Sequence, residues 1–182
     1  MGRVYRGVPL DRVRLDIIHA LQHDPPVPHQ RRLSKPMVES VRFTSCVGLE
    51  HRPTLEKLLF FNSCQSRFAR QIVDTIDKYG PPEIEPEDGL LRIRVSGLSE
   101  VQSLFALDGE TGRLIGVAIY VRADISHVTV LHIGLSEPYC AGGNREGLNL
   151  LLRLMKAIRR SSLRMKGVRG LRVLYGSPRA NV

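Results

Sequence analysis

One stretch, residues 128–175, restricts the possible folds of this chain more than any other part of the sequence. It starts with an apolar run at residues 128–135 and closes with a second at residues 171–175, and between them lie a glycine-rich segment and a long basic segment. Short apolar runs bounded by turn residues are typical of buried strands. The order strand, helix, strand predicts two parallel strands joined by a helical crossover.

The basic segment has the periodicity of an amphipathic helix laid on a sheet. Its apolar positions recur at helical spacing, and its polar positions form the opposite stripe. We expect Gly167 and Gly170 to end this helix. The apolar stripe consists of Leu151, Leu154, Met155 and Ile158, and the polar stripe of Asn149, Arg153, Lys156 and Arg160.

The glycine-rich segment, residues 141–147, lies where the first strand leads into the helix. Gly142, Gly143 and Gly147 leave backbone N–H groups accessible at the positive end of the helix dipole. This geometry favours a phosphate group. The segment matches neither the P-loop pattern nor the dinucleotide pattern Gly-x-Gly-x-x-Gly, and no hydrolase or zinc-protease motif occurs in the chain.

Composition limits what surrounds this unit. The chain has 182 residues, 42% of them hydrophobic, which fits one domain with one extra element. No run approaches about 18 apolar residues, and the N-terminus lacks the apolar core of a signal peptide, so we expect a cytoplasmic protein without a membrane span.

The cysteines show no metal-ligand spacing and no disulfide framework, which predicts reduced thiols and no bound metal. The chain has three of them, Cys46, Cys64 and Cys140.

The charge of the chain suggests an anionic partner. The formal net charge is +9, and the basic residues are concentrated towards the two ends. Nucleic acid, a phosphorylated cofactor and plain solubility all remain open explanations. Nucleic acid is possible but not favoured, because aromatic residues make up only 5% of the chain and no nucleic-acid-binding motif is visible.

The N-terminal region, residues 1–36, is predicted to be an extension outside the main domain of residues 37–182. Residues 9–22 have apolar positions near helical spacing, and residues 23–36 contain four prolines, which predict an arm without regular structure. An amphipathic helix on such an arm favours a homodimer, in which a second copy covers exposed apolar surface.

The middle of the chain predicts further strands and helices. We expect a strand at residues 38–49, helices at residues 53–79 with a break near Asn62, a loop at residues 83–88 and a strand at residues 91–95. A hairpin follows, with strands at residues 104–107 and 114–121 around a glycine-bearing loop. The fold class is α/β (α+β), a mixed, mostly antiparallel sheet flanked by helices.

This order of elements resembles the GNAT superfamily of acyl-CoA-dependent N-acyltransferases over residues 38–175. The resemblance implies transfer of an acyl group from acetyl-CoA or another acyl-CoA to an amine acceptor. It also implies that backbone amides of the loop hold the cofactor pyrophosphate. Two features depart from the family pattern: the glycine spacing differs from the regular motif, and the C-terminal part is shorter than in the family. A non-catalytic GNAT-like protein or a basic, nucleic-acid-binding regulatory protein is the alternative. The implied cofactor-binding residues are Leu135, Gly142, Gly143, Asn144, Arg145 and Gly147.

Direct acyl transfer needs a base for the amine and a proton donor for the thiolate. His132 and Glu137 are candidate bases: strand alternation places His132 on one face with Val130 and Gly134, and Glu137 follows the strand end. An unperturbed histidine already has a pKa of about 6.5, whereas a carboxylate needs burial to reach that range. The candidate proton donor is Tyr175, with Tyr139 second. Each candidate also has a purely structural alternative. These are a core histidine for His132, a turn carboxylate for Glu137, a packing residue for Tyr175 and a buried thiol for Cys140.

Overall fold

The computed structural model describes residues 40–60, 62–146 and 149–174. The expected N-terminal helix and proline-rich arm lie outside these residues, as do Gly147 and Tyr175. The elements are, in chain order, β1 (Val41–Thr44), β2 (Val47–Gly48), α1 (Arg52–Phe60), α2 (Ala69–Tyr79), β3 (Pro82–Glu87), β4 (Leu90–Val95), β5 (Gln102–Asp108), β6 (Leu114–Arg122), β7 (His127–Leu135), α3 (Leu150–Ser162) and β8 (Gly170–Val173). Short 3-10 helices span Leu49–His51, Ser63–Phe68 and Glu137–Tyr139.

The strands form two sheets, and the α+β class is confirmed. The larger sheet has the order β1-β5-β6-β7-β8, and the smaller one has the order β2-β4-β3. β5, β6 and β7 run antiparallel to one another, as expected, and β8 runs parallel to β7 after the crossover through α3. The larger sheet is therefore mixed, mostly antiparallel, and covered by helices.

The prediction of a loop at residues 83–88 is wrong. Residues 83–87 belong to β3, in which Ile84 pairs with Ile93 of β4, and of the predicted loop only Asp88 lies in the turn between the two strands. The prolines of β3 are tolerated because it is an edge strand of the small sheet, where a missing N–H removes no ladder bond. The acidic side chains that suggested a loop instead pair with the arginines of β4, through the ion pairs Glu85–Arg94 and Glu87–Arg92.

The strand predicted at residues 38–49 is divided between the two sheets. β1 pairs with β5, and β2 pairs with β4, with a bend at Ser45 between them. The break expected near Asn62 is confirmed, since α1 ends at Phe60 and a 3-10 helix begins at Ser63. The crossover helix is also confirmed, although it ends at Ser162, before the two glycines that were expected to end it.

A β-bulge changes the face assignment on β7. His132 lies opposite Ile119 of β6 and Val130 lies opposite Tyr120, so that Leu131 is an extra residue on β7. As a result Val130 packs in the cluster that contains α3, whereas Leu131 packs in the cluster that contains α1. The expectation that Val130 shares the face of His132 is therefore wrong.

The core consists of two apolar layers, one on each face of the larger sheet. α3 covers one face with Leu154 and Ile158, which are fully buried. α1 covers the other face and approaches β7 closely at Gly134, where an added Cβ would lie 2.4 Å from the carbonyl oxygen of Leu58. Within the described residues, no helix has the length and apolar character that a membrane crossing needs.

Candidate functional site

Most of the candidate site residues follow one another at the end of β7. His132 and Leu135 lie on the strand, and Glu137 begins the 3-10 helix that follows it. The loop at residues 140–146 comes next and contains the remaining described candidates. Roles for Gly147 and Tyr175 stay predictions, because both residues lie outside the described part of the chain.

Among residues 40–60, 62–146 and 149–174, no strand lies beside the last residues of β7 on the β8 side. β8 pairs with β7 only as far as Val130, whose carbonyl oxygen accepts a hydrogen bond from the N–H of Leu174 at 3.2 Å. β7 continues to Leu135. We call residues 131–135 the open edge of β7, because the backbone groups that point away from β6 are not paired there with any strand of the described residues.

Two side-chain amides occupy this open edge. Nδ2 of Asn62 donates to the carbonyl oxygen of Leu135 at 2.6 Å, and Nε2 of Gln65 donates to that of Ile133 at 3.1 Å. Both carbonyl groups therefore accept hydrogen bonds from amide groups on the segment between α1 and α2. No sequence pattern indicates Asn62 and Gln65 as site residues.

The imidazole of His132 is buried and neutral. Burial lowers the pKa of His132 to about 4, so the expectation of an unperturbed imidazole is wrong. Nε2 of His132 lies 2.9 Å from Nε2 of Gln65, which also donates to the carbonyl oxygens of Leu58 and Ile133. Because those two carbonyl oxygens require a donor, this atom of Gln65 is the NH₂ nitrogen, which cannot accept a hydrogen bond. Its two hydrogens are shared among the two carbonyl oxygens and Nε2 of His132, which therefore accepts. The ring proton is then on Nδ1.

His132 also lines a small apolar cavity between α1, α2 and the sheet. Leu59, Ile72 and Ile119 form part of its wall. The cavity volume is about 40 Å³, whereas one water molecule needs about 10–15 Å³. It can hold water but not the arm of a thioester cofactor, so the cavity is not the cofactor site.

A disulfide joins Cys64 to Cys140, and the prediction of reduced thiols is wrong for this pair. Their Cα atoms are 6.3 Å apart, within the usual range for a disulfide. Sequence spacing could not indicate the bond, because the two cysteines are 76 residues apart. Cys46 remains a free, exposed thiol. Disulfides are uncommon in the cytosol, so this bond does not favour the cytoplasmic location that the sequence suggested.

The disulfide and the two amides act together on the same part of the chain. We call Asn62, Cys64 and Gln65 the clasp, because their side chains bind the end of β7 and the loop after it. Asn62 Oδ1 also accepts from the N–H of Cys64 at 3.0 Å, which caps the 3-10 helix that carries the other two residues. The clasp therefore fixes the loop relative to the open edge.

The backbone amides of the loop are largely bonded within the loop itself. This arrangement differs from the simplest form of the predicted phosphate site, in which the amides point outwards. A ligand phosphate at Gly142 would compete with the carboxylate of Glu146. The observed bonds are Gly142 N–H to Glu146 Oε2 at 2.6 Å, Gly143 N–H to Cys140 O at 2.8 Å, Arg145 N–H to Pro138 O at 2.7 Å and Glu146 N–H to Gly143 O at 3.2 Å.

Gly143 has a structural role that needs no ligand. An added Cβ would lie 2.4 Å from the carbonyl oxygen of Pro138 and 2.5 Å from that of Glu137. The loop folds back on the 3-10 helix so tightly that only glycine fits. A bulky substitution at Gly143 would therefore distort the loop whether or not a cofactor binds there.

Arg145 is held by groups inside the domain. Its Nη1 donates to the hydroxyl of Tyr139 at 2.8 Å and lies 3.4 Å from Oδ2 of Asp108 at the end of β5. A backbone hydrogen bond from Thr111 contributes most to lowering the pKa of Asp108, and the charge of Arg145 adds to the effect. Asn144 and Glu137 are exposed on the surface.

Comparisons of the chain with protein-family models, with curated proteins and with solved structures each found no match. Within the described residues, no group of three or more His, Cys, Asp or Glu side chains is placed to hold a metal ion. The resemblance to the acyltransferase superfamily therefore stays a prediction that depends on the order of the elements in the sequence.

Proposed function

We propose that the chain binds an acyl-CoA along the open edge of β7 and transfers the acyl group to an amine. One observation carries this proposal: in the part of the chain that the structure describes, β7 continues past its parallel partner β8, and its outward carbonyl groups are bonded by side-chain amides rather than by a strand. Such an edge is suited to an extended ligand that supplies its own amide groups.

The chemistry of CoA matches the groups at this edge. Its pantetheine arm contains two secondary amides in an extended chain, and each can donate one N–H to a carbonyl oxygen. The carbonyl oxygens of Ile133 and Leu135 lie two residues apart on one side of the strand, and amide NH₂ groups already bind both. Gln65 and Asn62 thus occupy the positions that the cofactor amides take in this proposal.

The loop after β7 is the proposed phosphate contact. It precedes α3, whose N-terminal end provides the positive pole of the helix dipole. The N–H of Gly142 now donates to the carboxylate of Glu146. Pyrophosphate binding at Gly142 requires this hydrogen bond to break and the carboxylate to move away. Arg145 supplies positive charge beside the loop.

In the proposed reaction the amine nitrogen attacks the thioester carbonyl carbon, and the C–S bond breaks. The products are an amide and CoA thiol, and the proton lost by the amine balances the proton gained by the thiolate. The low pKa of His132 makes its imidazole a weak base at neutral pH. Glu137 is exposed at the strand end, where an amine can reach it, but it is not buried as a carboxylate base would need to be. Neither His132 nor Glu137 is therefore preferred as the base, and Tyr175 stays the predicted proton donor.

A second candidate function is a GNAT-like protein without turnover. It is favoured by the internal bonding of the loop amides and by the neutral, buried state of His132. In that case the fold binds acetyl-CoA at the same edge for a regulatory purpose. Binding and turnover must therefore be measured separately.

Calorimetric titration with acetyl-CoA tests binding, and release of free CoA thiol in the presence of a panel of amines tests turnover. The informative variant is Gln65→Ala, which removes one competing amide from the carbonyl oxygen of Ile133. Gln71→Ala on the exposed side of α2 is the matched control. Gln65→Ala should bind acetyl-CoA more tightly than the wild type, and Gln71→Ala should not.

Binding with thiol release supports an acyltransferase. Binding without thiol release for any amine supports the second candidate. Absence of acetyl-CoA binding by the wild type and by Gln65→Ala overturns both, because each requires a ligand at the open edge.

A further inference from the structure

The outer surface of α3 and the turn after it are strongly basic. Residues 150–174 contain eight Lys or Arg residues and no Asp or Glu. Surface helices that serve only for solubility usually mix both signs of charge, because opposite charges three or four residues apart stabilise a helix. The complete absence of acidic residues here needs another explanation.

Three of these eight cations form a row. Lys156, Arg160 and Arg164 follow one another at intervals of four residues, and all three side chains are exposed. We call these three residues the cationic stripe. Lys156 and Arg160 are neighbours on α3, about 6 Å apart along its axis, and Arg164 continues the row in the turn after the helix ends at Ser162. Like charges at the spacing of Lys156 and Arg160 destabilise a helix, so this part of the stripe exists at a cost to folding.

The turn that follows the helix is fixed to the rest of the domain. Nη2 of Arg122 donates to the carbonyl oxygens of Ile125 and Lys166, at 3.0 and 2.8 Å. The N–H of Arg169 donates to the carbonyl oxygen of Ser126 at 2.7 Å. The end of the cationic stripe is therefore held on a rigid support, which reduces the entropy cost of binding a partner.

We propose that the cationic stripe binds the phosphate backbone of double-helical nucleic acid. Duplex DNA carries one negative charge per ~1.7 Å of its axis, so a row of cations spaced by about 6 Å always has phosphates within reach. A nucleic acid surface of this kind is independent of the acyl-CoA site, because the stripe begins more than one turn after the start of α3.

Two features favour a duplex over the other polyanions in a cell. A helix that lies in a membrane surface inserts its apolar face, but the apolar face of α3 is already buried on the sheet, with Leu154 and Ile158 fully covered. Single-stranded nucleic acid is bound largely by stacking on aromatic side chains, and residues 150–174 contain no aromatic residue. A surface that contacts phosphates alone is therefore better suited to a duplex than to a single strand.

The test compares two variants of the full chain that have the same net charge. The stripe variant is Lys156→Gln/Arg160→Gln/Arg164→Gln. The control variant is Arg42→Gln/Lys57→Gln/Arg113→Gln, which removes three exposed cations outside α3. Each lowers the formal charge of +9 by three. Thermal unfolding should show both variants folded, with the stripe variant at least as stable as the wild type.

Binding is measured by fluorescence anisotropy with a short labelled DNA duplex, the same duplex in RNA, and one DNA strand alone, over a series of salt concentrations. The wild type should bind at least one duplex more tightly than the single strand. The stripe variant should lose about tenfold or more in affinity, and the slope of log K against log salt should decrease by roughly 0.9 for each lost phosphate contact. The control variant should bind like the wild type.

Three results would overturn the proposal. The first is that the wild type binds neither duplex at low salt. The second is an equal loss in both variants, which would mean that net charge alone is responsible. The third is binding to phosphatidylserine vesicles that depends on the cationic stripe, with no duplex binding.

Discussion

Nε2 of Gln65 lies 2.9 Å from Nε2 of His132, and because an amide nitrogen cannot accept a hydrogen bond, this histidine atom carries no proton and the buried imidazole is neutral. This contact has a consequence for stability against pH. The folded-state pKa of His132 is about 4, below its value of about 6.5 in an unfolded chain. Between these two values the unfolded state binds more protons, so the folded state loses stability as the pH falls.

We therefore expect the free energy of unfolding to decrease by up to about 3 kcal/mol from this group between pH 6.5 and pH 4. Urea unfolding at several pH values measures it. In His132→Gln this part of the pH dependence should disappear, although the variant is less stable at neutral pH. If the pH dependence of stability is the same in His132→Gln as in the wild type, the imidazole is not buried in its neutral form.

The disulfide between Cys64 and Cys140 should contribute strongly to stability, because it closes a loop of 76 residues. Loop-closure entropy for a loop of that length corresponds to about 4 kcal/mol. Cys64→Ser/Cys140→Ser should unfold at a lower urea concentration, and a reducing agent should have no further effect on that variant. Cys46→Ser is the control and should match the wild type, since Cys46 is a free, exposed thiol.

The close packing of α1 on β7 predicts a cost for Gly134→Ala. The new methyl group would meet the carbonyl oxygen of Leu58, a backbone atom that cannot rotate away. We expect a loss of about 1–3 kcal/mol in the free energy of unfolding. Gly116→Ala is the control: its methyl group would meet side-chain atoms at 3.2 Å or more, which can move, so it should lose less. Equal losses would argue against the close contact.

The loop carboxylate should oppose the proposed cofactor. Oε2 of Glu146 accepts from the N–H of Gly142 and places a negative charge where the pyrophosphate is proposed to bind. Glu146→Ala frees the N–H of Gly142 for the pyrophosphate. A hydrogen bond to a charged group contributes about 1.5–3 kcal/mol, so removing the competing carboxylate should raise the affinity for acetyl-CoA several-fold. Glu100→Ala, an exposed carboxylate between β4 and β5, should leave affinity unchanged.

Sequence patterns were sufficient for the elements whose side chains repeat regularly. The hairpin of β5 and β6, the apolar strand β7 and the amphipathic helix α3 all follow local periodicity, and the parallel position of β8 follows from the crossover. β3 was missed, because its prolines and glutamates predict a loop until β4 supplies paired arginines and a ladder.

The site was harder to predict because its contacts join distant parts of the chain. The clasp connects residues 62–65 with residues 132–140, and neither segment carries a pattern that indicates the other. The bulge at Leu131 also has no local signal, yet it decides which face of the sheet receives His132. The candidate residues at the strand end came from a resemblance, and their roles stay predictions.

The most direct test of the proposed acyl-CoA site is the response of single backbone amides to acetyl-CoA, measured by NMR. In an antiparallel strand the N–H and C=O of one residue point to the same side, so the N–H groups of Ile133 and Leu135 face the open edge. On addition of acetyl-CoA, both amide signals should shift and exchange more slowly with solvent, while those of Ile84 and Ile93 in the small sheet stay unchanged. Binding that leaves Ile133 and Leu135 unaffected, or no response at millimolar acetyl-CoA, would contradict the account.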